Sequence, residues 1–335
     1  MAATEKMSKL RSPEEMHEMI SSFRMSRVIL TAFELEIFSI LEKKNLTSKQ
    51  IALRAKANIR GIDRLLNALC ALGLVTKKQG HFANTSLSRK YLVKGQPNFL
   101  AGLAHSVDLW KSWSTLTQAV IQGTTVIDRK NSELNENRLP GFIAAMHERA
   151  SSHADEVIKR LDLTNVCKTL DIGGGSGAYS IGLVRAKEDI QATVFDLPDV
   201  IPLTQSYVNK SRFASRIDFI EGDFKRDSFK SGYDLILLSA IIHMNSSEEN
   251  LNLFKKASRA LNPRGQLVIQ DFIMSEDRLK PEFGAFFALN MLVNTKDGDT
   301  YTEREVHTLM KQAGLTRISI IKTPFITSLV VGKKI

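Results

Sequence analysis

The chain has 335 residues, 43% of them hydrophobic, and a formal net charge of +10. That length exceeds one typical core and accommodates two domains. Two cysteines, Cys70 and Cys167, stand in apolar surroundings and argue against a disulfide framework or a cysteine-based zinc site, and no apolar run approaches the roughly 20 residues of a membrane span.

The opening MAATEKMSKLRSPEEM has no apolar segment of the kind a secretory signal needs, so the expectation is a cytoplasmic, soluble protein with no membrane partner. The charge is uneven. Residues 1–105 hold 17 Lys and Arg against 8 Asp and Glu, a balance of +9, and the rest of the chain holds only +1. Nucleic acid binding is one reading of such a segment, and a lysine-rich solvated surface is the other.

Taken in order, Ser12-Pro13-Glu14-Glu15 is a capping box with proline at the first helical position. Thr47-Ser48-Lys49-Gln50 is a second box, opening TSKQIALRAKA, and RGIDRLLNALCALG reads as a helix closed at Gly73. LVTKKQGHFANTS reads as a short hairpin turning near Gln79-Gly80. Three helices and a hairpin in this span form the winged-helix pattern. The set Phe33, Ile37, Phe38, Ile40 and Leu41 is too apolar for a free surface and predicts a homodimer through residues 1–105. The NIRGIDRLLNALCALG helix argues against a DNA-binding regulator. It offers Arg60 and Arg64, but Leu65, Leu66, Ala68, Leu69 and Leu72 dominate it, which suits packing, so no nucleic acid partner is expected.

Residues 106–162 read as bridging helices, including FIAAMHERASSHADEVIKRLD. From residue 168 onward the pattern changes to alternating strands and helices. KTLDIG, ATVFDL, IDFIEGD, YDLILLSA and GQLVIQDFIM are apolar runs spaced by helical stretches, which predicts a parallel sheet with crossover helices. Ser246-Ser247-Glu248-Glu249 and Thr302-Glu303-Arg304-Glu305 are further capping boxes, and RISIIKTPF and TSLVVGKK close the chain as two strands with a tight connection.

The chemistry centres on KTLDIGGGSGAYS, where Gly173, Gly174, Gly175 and Gly177 follow a strand. A P-loop needs a lysine after its last glycine, and Ala178-Tyr179 stands there instead. Gly173-x-Gly175-x-x-Ala178 also satisfies the dinucleotide fingerprint. Three carboxylates turn the reading elsewhere. Asp171 precedes the glycines, where an anion suits a cationic amino group better than a pyrophosphate. Asp196, with Leu197 beside it, ends the next strand and can accept both ribose hydroxyls. Asp223 ends the third strand, facing an adenine amino group, with Phe224 for the ring face. A ligand with an amino acid end, a ribose and an adenine but no phosphate is S-adenosylmethionine.

The order LDIGGGSG, DLPDV, GDF resembles class I S-adenosylmethionine-dependent methyltransferases. With the N-terminal pattern, nearly the whole chain is similar to small-molecule O-methyltransferases of the caffeate and hydroxyindole type. The resemblance implies an α/β fold: a Rossmann-like seven-stranded sheet with a final antiparallel hairpin, plus an N-terminal all-helical, winged-helix dimerisation domain. It implies three parts: 1–105 for dimerisation, 106–162 as a bridge, and 163–335 for the cofactor. It places His243 of LLSAIIHMNSSEE as general base on the acceptor hydroxyl, with Asp271 of IQDF as its orienting acid. Met244 and Asn245 replace the family's Asp-Trp, Thr300 stands where a second glutamate is usual, and Ser239 where plant enzymes have a lysine on the cofactor side. Phe142, Met146 and His147 on the bridging helix, and Phe287, Asn290, Met291 and Asn294 on FGAFFALNMLVN, are the expected acceptor lining. The expected acceptor is a flat aromatic, quinone-like or polyketide molecule. C- or N-methylation, or a non-methylating homologue on the same fold, is the alternative. The seven histidines are scattered, so no metal site is expected.

Overall fold

In the computed structural model, residues 9–127 and 138–335 are described. They divide into two compact units, one of residues 9–110 and 138–145, the other of residues 111–127 and 146–335.

The first unit opens with helices α1 (Pro13–Ser21), α2 (Phe23–Glu34) and α3 (Ile37–Ile40). Ser12 caps α1 by accepting from the Glu15 amide, but the Glu15 carboxylate accepts from Arg11 N–H rather than from the cap residue, so the box is only half formed. Strand β1 (Leu46–Thr47) leads into α4 (Ser48–Arg54), whose Thr47-Gln50 box is complete, and then α5 (Ile59–Ala71). Strands β2 (Val75–Lys78) and β3 (His81–Asn84) form the expected hairpin, and β1 pairs with the outer side of β3. Gln79 and Gly80 both have positive φ, 48° and 76°, the primed geometry that matches the twist of a hairpin. Helix α6 (Ser86–Tyr91) follows, and α7 (Leu103–Trp113) starts in this unit.

One sequence expectation is corrected here. Ile37, Phe38 and Leu41 are at most 2% exposed and form this unit's own core with Ile51, Ile62, Leu66, Leu69 and Phe82, so they present no face to a partner chain. Phe33 stacks on Phe99 at 6.0 Å. Exposed apolar side chains of this unit include Met16, Met19 and Ile20 on α1 and Phe23 and Met25 on α2, besides scattered ones such as Leu53, Ile59 and Leu87.

The second unit carries α8 (Leu116–Gln122), most of α9 (Arg138–Ile158), and a seven-stranded sheet. Its elements run β4 (Lys168–Ile172), α10 (Ala178–Ala186), β5 (Gln191–Asp196), α11 (Ile201–Val208), β6 (Ile217–Glu221), β7 (Tyr233–Ser239), α12 (Ser247–Ala260) and β8 (Leu261–Asp271). Then come β9 (Ile273–Met274), α13 (Glu282–Asn294), β10 (Tyr301–Thr302), α14 (Glu303–Gln312), β11 (Leu315–Lys322) and β12 (Ser328–Lys334). The sheet order is β11-β12-β8-β7-β4-β5-β6, with β12 antiparallel to both neighbours. The final strand therefore inserts between β11 and β8, its tight connection to β11 making the pair an antiparallel hairpin.

Parallel strands covered on both faces read as unbroken apolar runs. Leu235, Ile236, Leu237 and Leu238 of β7 are at most 1% exposed and alternate between two core layers. One layer packs against α12 and α14, the other against α9 and α10. Each such side chain contributes about 1.5–3 kcal/mol by leaving water. Chain order runs outward from β4 through β5 to β6, then returns to place β7 on the other side of β4. That reversal opens a crevice at the carboxyl ends of β4 and β7, where such sheets bind ligands. Among the described residues, no helix is long and apolar enough to cross a membrane.

Candidate active site

The glycine loop leaves β4 at this crevice. Gly173, Gly175 and Gly177 have φ of 67°, 57° and 73°, conformations that favour glycine. At Gly173 a side chain would also collide with Ile241 of the neighbouring strand end. The loop is pinned by its own amides: Gly173 N–H donates to Phe195 O at 2.7 Å and Gly175 N–H to Asp196 Oδ2 at 2.8 Å.

The three sequence-identified carboxylates stand at successive strand ends. Asp171 is 1% exposed; its Oδ2 accepts from Ser180 Oγ at 2.9 Å and its Oδ1 has no partner. Burial pushes its carboxyl up to about 7, with the Asp196 charge adding and the Ser180 hydrogen bond opposing. Asp196 accepts from Gly175 N–H and, through Oδ1, from Leu197 N–H at 2.8 Å. Burial raises its carboxyl too, against those two bonds. Leu197 is 47% exposed. Asp223 is half-buried and accepts from Lys225 N–H at 2.9 Å, and Phe224 packs against the core layer next to it.

On the other side of the crevice, β7 ends at Ser239, and Ala240 turns the chain with φ of 57°, a left-handed conformation unusual for alanine. The turn delivers His243, 8% exposed, toward the end of β8. Its Nδ1 lies 2.8 Å from Asp271 Oδ1 and 3.0 Å from Oδ2. Asp271 is 2% exposed and also accepts from the Phe272 amide at 2.8 Å, which fixes the carboxylate. If Nδ1 donates to this carboxylate, Nε2 keeps the lone pair. The edge of Phe287 on α13 meets the His243 ring at 4.8 Å, and Phe272 and Phe283 extend the aromatic wall. The sequence-marked departures sit close by: Met244 packs into the core, and Thr300 is 2% exposed.

The remaining acceptor-lining candidates disperse. Phe142 belongs to the first unit, where its ring meets His105 edge-on at 5.2 Å. His147 bonds Ser176 of the glycine loop at 2.9 Å and lies 4.2 Å from the Tyr207 ring, and burial lowers its basicity. Met146 is half-buried and Met291 is 6% exposed. Asn290 and Asn294 share the Phe287 face of α13, and Asn294 donates to Asn290 Oδ1 at 3.0 Å.

Four residues that the sequence reading missed complete the crevice. The Arg149 guanidinium lies 5.2 Å over the Phe272 ring with no ion-pair partner within salt-bridge reach among the described residues. Burial lowers its pKa, and the neighbouring Tyr179 and Asp271 oppose this. Burial pushes the Tyr179 hydroxyl up, opposed by the neighbouring Gln270 and Ser239, and Ser239 Oγ donates to Gln270 Oε1 at 2.7 Å. Trp113 reaches the site through Asn290. No local signal marks these four, because each acquires its role only through a distant strand or helix. Among the described residues, no group of three or more His, Cys, Asp or Glu is placed to hold a metal ion.

A model of the O-methyltransferase domain matches residues 119–316, and one of the O-methyltransferase dimerisation domain matches residues 17–94. The tetracenomycin polyketide synthesis 8-O-methyl transferase TcmO of Streptomyces glaucescens is 26% identical over 332 residues, covering 97% of this chain and 98% of that one. The acetylserotonin O-methyltransferase of Gallus gallus is 29% identical over 340 residues, covering 96% and 97%. A solved structure of PigF with SAH aligns with a TM-score of 0.85 at 25% identity, covering 97% of this chain and 100% of that one. Because the O-methyltransferase domain model covers more than half of the chain, the chain belongs to the O-methyltransferase family.

Proposed function

We propose that this protein methylates a hydroxyl of a small aromatic, quinone-like or polyketide-like molecule, using S-adenosylmethionine as donor and His243 as general base. The observation that carries the reading is the buried His243–Asp271 pair at 2.8 Å, facing the Phe272–Phe283–Phe287 wall. The similarity to a polyketide and an acetylserotonin O-methyltransferase supports the acceptor class.

The residues fit the donor. Asp171 holds an unpartnered oxygen in a buried position, which suits an ammonium group. Asp196 keeps lone pairs for ribose hydroxyls at the strand end, and Phe224 offers a ring face. Arg149 supplies a cation without a carboxylate partner, which suits the carboxylate of an amino acid end. When bound, S-adenosylmethionine supplies a sulfonium methyl group that an oxygen nucleophile can take.

His243 is built to receive the hydroxyl proton. Asp271 holds the ring through Nδ1, so Nε2 faces the acceptor, and the carboxylate stabilises the imidazolium that forms. A base so placed is worth about 10²–10⁴ in rate. The aromatic wall orients a flat acceptor and keeps water from the reacting oxygen. The chain pairs with a second copy through its dimerisation segment, and the exposed α1–α2 face of Met16, Met19, Ile20 and Phe23 supports this. The test is incubation with methyl-labelled S-adenosylmethionine and a panel of hydroxyaromatics. A labelled methyl ether is expected; label on carbon or nitrogen only, or no transfer with tight NAD binding, overturns the reading.

A further inference from the structure

Helix α13 carries a second polar feature one turn beyond the aromatic contact with His243. Asn290 follows Phe287 by three residues on the same face and is half-buried. Its amide is not free to rotate. The Trp113 indole N–H donates to Asn290 Oδ1 at 2.9 Å, and the Asn294 amide donates to the same oxygen at 3.0 Å. An indole N–H can only donate, so the atom it meets must be the amide oxygen, and the NH₂ is turned the other way. Among the described residues that NH₂ has no acceptor.

The segment that follows Trp113 lies along the end of α13, where Thr125 Oγ1 donates to Val293 O at 2.8 Å and Thr124 Oγ1 to Lys296 O at 2.9 Å. Two elements far apart in sequence are thus joined so that one amide has a set orientation. In the free protein water can meet this half-buried donor, and an acceptor carrying a carbonyl there would take the water's place, whereas one lacking it would cover the donor unmet.

We propose that Trp113 is a positioning residue for acceptor recognition: it locks the Asn290 amide so that its NH₂ selects acceptors bearing a carbonyl-type oxygen about one fused ring from the reacting hydroxyl. Asn290 follows Phe287 by about 4.5 Å along the helix, which puts its amide beyond the ring that meets His243. This deepens, and rests on, the aromatic-acceptor reading above. Molecules with a hydroxyl donor or plain hydrocarbon at that place leave the NH₂ unmet and are disfavoured.

The test uses two probes with one frame, 6-hydroxy-1-tetralone and 5,6,7,8-tetrahydro-2-naphthol, which differ only in the carbonyl. Their dissociation constants are measured on the S-adenosylhomocysteine-loaded protein for wild type, Trp113→Phe, Asn290→Ala and the double variant. Differences in phenol acidity are common to all four and cancel from the ratios. Wild type is expected to favour the ketone about five- to tenfold, the scale of one neutral hydrogen bond. Trp113→Phe keeps an aromatic ring but should lose most of that preference, lowering the ketone's affinity far more than the hydrocarbon's. Asn290→Ala should abolish the preference, and the double variant should match it. The chain has two tryptophans, so its indole N–H resonances are two, and Asn290→Ala should move the one from Trp113. Equal binding of both probes by wild type overturns the proposal and leaves the acceptor reading standing. If Trp113→Phe weakens both probes alike, Trp113 only fills space. If neither probe binds wild type, the acceptor reading fails and this inference with it.

Discussion

Replacing Asp171 with asparagine should weaken affinity for S-adenosylhomocysteine and remove the pH dependence of that affinity. The side chain is 1% exposed and burial is the largest cause holding its carboxyl up to about 7. A ligand that brings an ammonium group to the unpartnered Oδ1 favours the ionised form. Below about pH 7 the proton must leave before the ligand binds. Affinity should therefore rise with pH, lie about tenfold below its plateau one unit under that value, and level off above it. For the ligand-free fold the sign is the reverse. A raised carboxyl contributes stability below its unfolded value of 3.8 and loses it as the pH rises to about 7. The asparagine cannot ionise, so its profile should be flat, and its plateau should fall by about 1.5–3 kcal/mol, the scale of a hydrogen bond between charged groups. Calorimetry in buffers of different ionisation enthalpy would report proton release by wild type near pH 6 and none by the variant. A flat profile for wild type, or the same slope in both proteins, would refute the reasoning.

Asp196→Ala should weaken S-adenosylhomocysteine by about 1.5–3 kcal/mol in the same assay, because it removes a half-buried acceptor and also frees the Gly175 amide. An unchanged dissociation constant would remove Asp196 from the site. Gly173→Ala places a methyl group against Ile241 at a positive φ, so a thermal melt should show destabilisation of about 1–3 kcal/mol with weaker ligand binding. A variant as stable as wild type would mean that the loop tolerates other conformations. Ile20 is 65% exposed on α1, and Ile20→Glu should shift the light-scattering mass from dimer toward monomer. A monomeric wild type at every concentration contradicts the dimer.

Much of the second unit is legible in the chain because parallel strands are continuous apolar runs and two of its helices, α12 and α14, start at local capping boxes. The Ser246-Glu249 and Thr302-Glu305 boxes form as read. The cap at Ser12 does not close fully, since Arg11 N–H takes the Glu15 carboxylate. His243 and Asp271 could be paired in advance because they follow neighbouring strands at nearly the same height. The converging network of Arg149, Tyr179, Ser239 and Gln270 could not, because four separate elements supply it. The Trp113–Asn290 bond spans 177 residues and leaves no local pattern. The apolar set at Ile37, Phe38 and Leu41 misled for a related reason: composition reports that a face is covered, and here the cover is the unit's own core.

The central claim is that His243, held by Asp271, removes the acceptor proton. The most direct measurement is single-turnover methyl transfer at saturating S-adenosylmethionine, comparing wild type with His243→Ala on one acceptor across about pH 6 to 10, with S-adenosylhomocysteine affinity measured alongside. The account predicts a rate lowered by about 10²–10⁴ with cofactor affinity nearly unchanged. A variant that keeps most of the wild-type rate at every pH would contradict it and leave His243 as packing at the end of β7.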